Sequence, residues 1–305
     1  MRNLLANMQW FWRAHVSNWL WRPREMRKAV RKEATLRRNL AYLQKYIPFI
    51  QSLNPHSDVR VTENHDYRAF TIWLQGLDKS PQIVKTCIDS MKEFFGEKLI
   101  VLDSSSIPHY VDIPEFIVEK KNQGKISNAH FSDFLRIELL FKYGGYWFDA
   151  TDFLLSTPPE EISRQDFFMY IPFPILEKPP FVENYFIRAK AGNPLLGMWR
   201  DLVMEYWRLE DKAYGYFLVQ SLFKLLVTYN GEAKRLFSQM AKINRDVTLK
   251  LWNHIGNDEF DPEKVDRLKK EAFFQKCSYK NNVGIVREII KGSIAHHVLN
   301  SPSLQ

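Results

Sequence analysis

Asp133, Arg136, Asp149, Thr151 and Asp152 are the residues whose types and spacing could do chemistry. They lie in Ser132-Asp133-Phe134-Leu135-Arg136 and, after Tyr143-Gly144-Gly145-Tyr146-Trp147-Phe148, in Asp149-Ala150-Thr151-Asp152. Carboxylates are hard oxygen ligands suited to Mg²⁺ or Mn²⁺, ions whose remaining positions go to water and substrate phosphates. A guanidinium is a planar fork matched to phosphate or sugar hydroxyls. A carboxylate can also accept hydrogen bonds from the hydroxyls of a bound sugar. Taken singly, Asp133 and Arg136 read equally as a surface ion pair, and Asp149 as a turn cap. Together they favour a site, because three aromatics running straight into acids would otherwise carry charge towards a core.

The elements that must position these residues follow from the same stretch. Ser127 or Asn128 suits an N-cap, and Phe131, Phe134, Leu135, Leu139 and Leu140 recur at helical spacing. Asp133 and Arg136 then share one face, one turn apart. Gly144 and Gly145 end that helix cheaply. Tyr146-Trp147-Phe148 reads as a buried strand that delivers Asp149 to its end, the place where ligands bind in open α/β sheets. Residues 149 and 151 face one side of a strand and 152 the other. The second acidic position is therefore open: Thr151 if the strand continues, Asp152 if the chain turns.

These residues resemble the sugar-binding region of glycosyltransferase family 32, in its capsular-polysaccharide-synthesis branch. The match is Ser132-Asp133, Arg136, Tyr143-Gly144-Gly145, and Asp149-Ala150-Thr151 as a variant of the DXD motif. It extends to Phe70–Gly76, Pro81–Ile88, Asn184–Ala189 and Gly215–Leu218, covering roughly residues 68 to 300. The resemblance implies a GT-A-like (Rossmann-like) α/β fold with a mixed sheet flanked by helices. It also implies metal-dependent, retaining transfer of a sugar from a nucleotide donor, a UDP-sugar, to a hydroxyl of a bacterial surface glycan or its lipid-linked precursor. Mn²⁺ or Mg²⁺ would neutralise the diphosphate. Carried over by position, Trp73 and Leu74 lie by the nucleotide base, Asp133 and Arg136 hold the sugar, Asn184 lines the donor pocket and Asp149 binds the metal. A distal third ligand is implied, for which Gly292–His297 offers His296. The plainer alternatives are a core tryptophan, a turn asparagine and a surface histidine pair. A nucleotide-sugar hydrolase, or a degenerate membrane-docking protein with Thr151 replacing an acid, fits the same residues.

The 305 residues suffice for one large α/β domain or two small ones. Alternating strands near 69–74, 98–102, 146–150, 167–171 and 184–189 and helices near 81–95, 127–143, 194–208 and 214–229 predict a mainly parallel sheet. The span 232–275 reads as charged helix without assignable chemistry. Cys87 and Cys277 make neither a disulfide framework nor a zinc site, which fits a reducing compartment.

Charge is uneven. Residues 1–46 hold eleven Lys or Arg against two acids, a net +9, so the remainder is close to neutral within the total of +8. Trp10, Trp12, Trp19 and Trp21 are interleaved with those cations, a composition suited to an anionic membrane interface. A helical subdomain packing its tryptophans inward is the other reading; four tryptophans fit lipid better than nucleic acid. No apolar run approaches the ~20 residues of a spanning helix, and Arg2, Arg13 and Arg22 oppose a secretory signal. The organisation expected is an arm at 1–50, a linker at 51–67 and a catalytic domain at 68–305, cytoplasmic and peripheral on the inner face of the cell membrane.

Overall fold

The computed structural model describes residues 24–56, 68–177, 181–280 and 283–300. The four arm tryptophans and most of the expected linker lie outside the described residues. Contacts divide the chain into two units, Met1–Tyr46 and Ile47–Gln305. In the first, helix α1 (Arg24–Leu43) is rich in Lys and Arg, and its exposed Arg37 pairs with Glu33 one turn back at 3.0 Å.

The second unit begins earlier than the arm and linker boundaries imply. Helix α2 (Ile47–Ser52) buries Ile50 completely. The side chain of Asn230 donates to the carbonyls of Ile50 and Leu53, both at 2.9 Å. An apolar anchor and two satisfied carbonyls tie 47–53 to the main body.

The elements that follow are β1 (Ala69–Ile72), α3 (Gln82–Phe95), β2 (Leu99–Leu102), α4 (Glu115–Asn122), α5 (Asn128–Tyr143), β3 (Gly145–Phe148) and β4 (Asp152–Leu154). Then come α6 (Glu160–Ser163), β5 (Phe167–Met169), β6 (Phe186–Ala189), α7 (Pro194–Leu209), α8 (Leu218–Tyr229) and α9 (Gly231–Gln239). The last are α10 (Pro262–Glu271), β7 (Phe274–Lys276) and α11 (Ile294–Asn300).

Five strands form one sheet in the order β2-β1-β3-β6-β5. The first three are parallel, but β6 runs antiparallel to β3 and β5 antiparallel to β6, so the sheet is mixed rather than mainly parallel. This reversal has a consequence for the site. The carboxyl ends of β1 and β3 and the amino end of β6 meet on one edge, where Phe148 pairs with Phe186. A second, two-stranded sheet pairs β4 with β7, with Asp152 opposite Lys276.

Helix α5 starts and stops where the sequence indicates. Ser127 accepts the backbone N–H of His130, and Gly144 ends the helix at φ +68°. Gly145 follows at φ +93°, and a Cβ there would lie 2.2 Å from the carbonyl oxygen of Arg68. Only glycine lets β3 approach β1 at this point. Ten of the sixteen residues of α5 are buried, so it is a core helix whose charged members, Asp133 and Arg136, need partners.

Behind the site lies an aromatic cluster. Phe186 packs on Phe148, Phe273 and Phe274 with ring centroids 5.0, 5.3 and 5.4 Å away. It welds the large sheet to the start of β7. Gln275, fully buried, accepts the N–H of Leu251 and donates to the carbonyl of Val247. The span 232–275 is thus not one charged helix. Leu251–Ile255 form a π-helical turn, Pro262 starts α10 afresh, and the segment ends in a strand aimed at the site.

Candidate active site

At the edge where β1, β3 and β6 meet lies a cleft of about 490 Å³, the size of a small-molecule site. Trp73 and Leu74 follow β1, Asp149 and Thr151 follow β3, Asn184 precedes β6, and Asp133 and Arg136 come from α5; all seven line it. They come from four segments far apart in sequence, which the strand ends and α5 bring together.

A single polar network runs along the floor. Gln220 Nε2 donates to Asn184 Oδ1, and Asn184 Nδ2 donates to Asp133 Oδ1, each at 2.8 Å. Asp133 Oδ1 lies 3.1 Å from the Arg136 guanidinium, which also stands 3.2 Å from Asp149 Oδ1 and donates to the carbonyl of Asn184. Arg136 stacks over the Trp147 ring at 4.8 Å, and the Trp147 indole N–H donates to Asp149 Oδ1 at 3.1 Å. The other Asp149 oxygen accepts from Lys276 Nζ at 2.8 Å. Lys276 also donates to Thr151 Oγ1 at 2.9 Å and stands 3.2 Å from Asp152 Oδ1.

The chain does turn after β3. The N–H of Asp152 donates to the carbonyl of Asp149 at 2.9 Å, and Asp152 Oδ2 accepts the N–H of Asp149 at 3.1 Å. Yet the turn buries Asp152 completely, beneath the cleft rather than in its lining. Burial pushes its carboxyl up to about 8, against the pull of Lys276. Burial likewise raises Asp133, partly offset by Arg136. Burial would raise Asp149 too, but Lys276 and Arg136 outweigh it and hold this group below the usual carboxylate range. For Lys276, burial would favour the neutral amine, and Asp149 and Asp152 more than restore the charge, so its net shift is upward. Asp149 is therefore a carboxylate held between two cations.

The wall opposite is aromatic. Trp73 and Tyr279 meet edge to face at 5.4 Å, and Tyr216 closes the mouth with 64% of its surface exposed. Among the described residues, the buried Trp73 indole N–H has no hydrogen-bond partner. Glu183 lies on the rim, where burial lifts it to about 7 despite its ion pair with Arg245.

The residues present do not fit the divalent ion that the resemblance implies. Both Asp149 oxygens face cations, and Thr151 and Asp152 share the same ammonium. His296 does not reach the cleft: it sits on α11, its ring 5.6 Å from His297, which stacks on Phe260. Among the described residues, no group of three or more His, Cys, Asp or Glu side chains is placed to hold a metal.

Sequence reasoning missed Lys276, Gln220, Glu183 and Tyr279. Tyr216 falls in Gly215–Leu218, a segment singled out without a role. Nothing local marks Lys276, which reaches Asp149 across 127 positions through strand pairing.

The profile described as capsular polysaccharide synthesis protein matches residues 20–297. The chain belongs to that family. Two other proteins are similar to parts of this family member. O-glycosyltransferase braB of Annulohypoxylon truncatum is 28% identical over 47% of this chain and 38% of its own length. O-glycosyltransferase PaGT of Phomopsis amygdali is 21% identical over 52% of this chain and 42% of its own. The chain thus spans well under half the length of these relatives. The solved structure of PaToxG Glycosyltransferase aligns with 69% of this chain and 83% of its own, at 17% identity and a TM-score of 0.38.

Proposed function

We propose that this protein is a glycosyltransferase that moves a sugar from a nucleoside-diphosphate sugar, a UDP-sugar by resemblance, to a hydroxyl of a surface glycan or its lipid-linked precursor. The observation that carries this reading is the cleft itself: an aromatic wall for a base, two cations flanking one carboxylate, and an Asn–Asp pair with hydrogen-bonding capacity for a sugar. Trp73 gives the base a ring face along the cleft wall. Arg136 and Lys276 attract the diphosphate. Asp133 and Asn184 meet the sugar hydroxyls.

In the reaction the bond between the anomeric carbon and the diphosphate oxygen breaks, its electron pair leaving on phosphate. The acceptor oxygen bonds to the anomeric carbon from the same face, and its proton passes to the departing phosphate. Cations placed at the leaving group stabilise charge that grows in the transition state. The names of the similar O-glycosyltransferases support transfer to a hydroxyl.

Among the described residues no helix is long and apolar enough to cross a membrane. The exposed arginines of α1 fit attachment of residues 1–46 to anionic lipid at the inner face of the cell membrane, where lipid-linked acceptors are built.

The test is release of nucleoside diphosphate from a panel of nucleotide sugars, with and without a crude lipid-linked acceptor fraction. Acceptor-stimulated release, lost in Asp133→Ala, is expected. Release that no acceptor accelerates would replace the transferase with a hydrolase, and no release from any donor would overturn the reading.

A further inference from the structure

Lys276 Nζ stands within 3.2 Å of the side-chain oxygens of Asp149, which the resemblance assigns to a metal, and of Thr151 and Asp152, the two candidates for the second acidic position. We propose that the Lys276 ammonium takes the place of the divalent ion, neutralising the donor diphosphate, and that donor binding is independent of metal. The inference rests on the donor reading above.

Three observations carry it. First, Lys276 is placed by construction. β7 fixes it opposite Asp152, the Phe273–Phe274 pair lies under the strand, and the neighbouring Gln275 is buried with its amide satisfied. Second, the side chain keeps 19% of its surface and lines the cleft, so the charge faces the space a ligand would enter. Third, the charge of the pocket matches a monocation. Thr151 stands where a DXD motif has its second acid, so Asp149 is the one carboxylate of the turn exposed in the cleft.

A second carboxylate would suit a dication; beside an ammonium and the Arg136 guanidinium, a dication would meet two like charges. Of the three oxygens around Lys276, that of Thr151 belongs to a hydroxyl rather than a carboxyl group. It is the partner most easily exchanged, since the hydroxyl can turn and donate to the same phosphate. Arg136 and Lys276 then hold the diphosphate from either side of Asp149, with the two cations anchored on its two oxygens.

The experiment is calorimetric titration of UDP, GDP, CDP and dTDP into the full chain, first in excess EDTA and then with Mn²⁺. One nucleoside diphosphate is expected to bind in EDTA, with an affinity that Mn²⁺ changes by less than about threefold. Lys276→Met should weaken it by about 10- to 100-fold, the worth of a charge-assisted hydrogen bond, and leave binding of the matching nucleoside unchanged. Lys276→Arg should regain part of the loss. Binding by the native protein that appears only with Mn²⁺ overturns the proposal and leaves the donor reading standing. Native affinity in a folded Lys276→Met protein also overturns it. No binding of any nucleoside diphosphate under either condition overturns the donor reading, and this inference with it. Should Lys276→Met fail to fold, the EDTA and Mn²⁺ titrations of the native chain decide alone.

Discussion

Replacing Arg136 by alanine should be the most damaging single change at the site. The guanidinium is only 6% exposed and serves Asp133 at 3.1 Å, Asp149 at 3.2 Å and the carbonyl of Asn184. Asp149 keeps Lys276, but Asp133, 11% exposed, keeps only the amide of Asn184. Removing one partner of a buried pair leaves an uncompensated charge and costs about 3–5 kcal/mol. In a unit of this size each kcal/mol moves the melting midpoint by roughly 2–4 °C, so a fall of about 6–20 °C is expected. The assay is urea and thermal unfolding of the native protein, Arg136→Ala, Asp133→Asn and the double variant. Neutralising Asp133 removes the stranded charge, so the double variant should recover at least about 1 kcal/mol relative to additivity. An Arg136→Ala loss below about 1 kcal/mol, or strict additivity in the cycle, would refute the buried-network reasoning.

Other consequences are testable in the same way. The Asp152 carboxyl, at about 8 in the folded chain, holds a proton that the unfolded chain releases near 3.8, so its contribution makes stability fall as pH rises between those values. Asp152→Asn should flatten that fall by up to about 1.4 kcal/mol per pH unit in urea titrations from pH 5 to 8; an unchanged slope would contradict the assignment. Gly145→Ala should cost more than about 3 kcal/mol or abolish soluble expression, since its Cβ meets the Arg68 carbonyl and its φ is positive, whereas Gly96→Ala, with open space around it, should cost about 1 kcal/mol. Phe274→Ala should destabilise by about 3–5 kcal/mol in the same denaturation assay through loss of the cluster beneath Lys276. Trp73→Ala should leave the melting midpoint within a few degrees yet weaken nucleoside binding about tenfold, read by calorimetry.

What the sequence revealed and what it hid divide along contact distance. The cap at Ser127, the Gly144-Gly145 break and the aromatic strand are local signals, and they placed Asp133, Arg136 and Asp149 in one cleft. Trp73 and Asn184 joined them because strand ends converge at a sheet edge. The reversal of β6 left no local mark: a strand's periodicity is the same in either direction. For the same reason neither β7 nor its lysine stood out, since Phe-Phe-Gln-Lys after a charged helix is too short to read as a strand. Thr151 was the one hint that the acidic turn departs from a carboxylate pair. His296 failed through topology, since α11 packs with Phe260 and the π-helical turn and so stays clear of the cleft.

The most direct measurement is a crystal structure of the protein with a non-transferable nucleotide sugar bound. The base is expected against Trp73, with the diphosphate oxygens within hydrogen-bond distance, about 3 Å, of both Arg136 and Lys276. A nucleotide bound elsewhere, or a diphosphate touching neither cation, would contradict this placement.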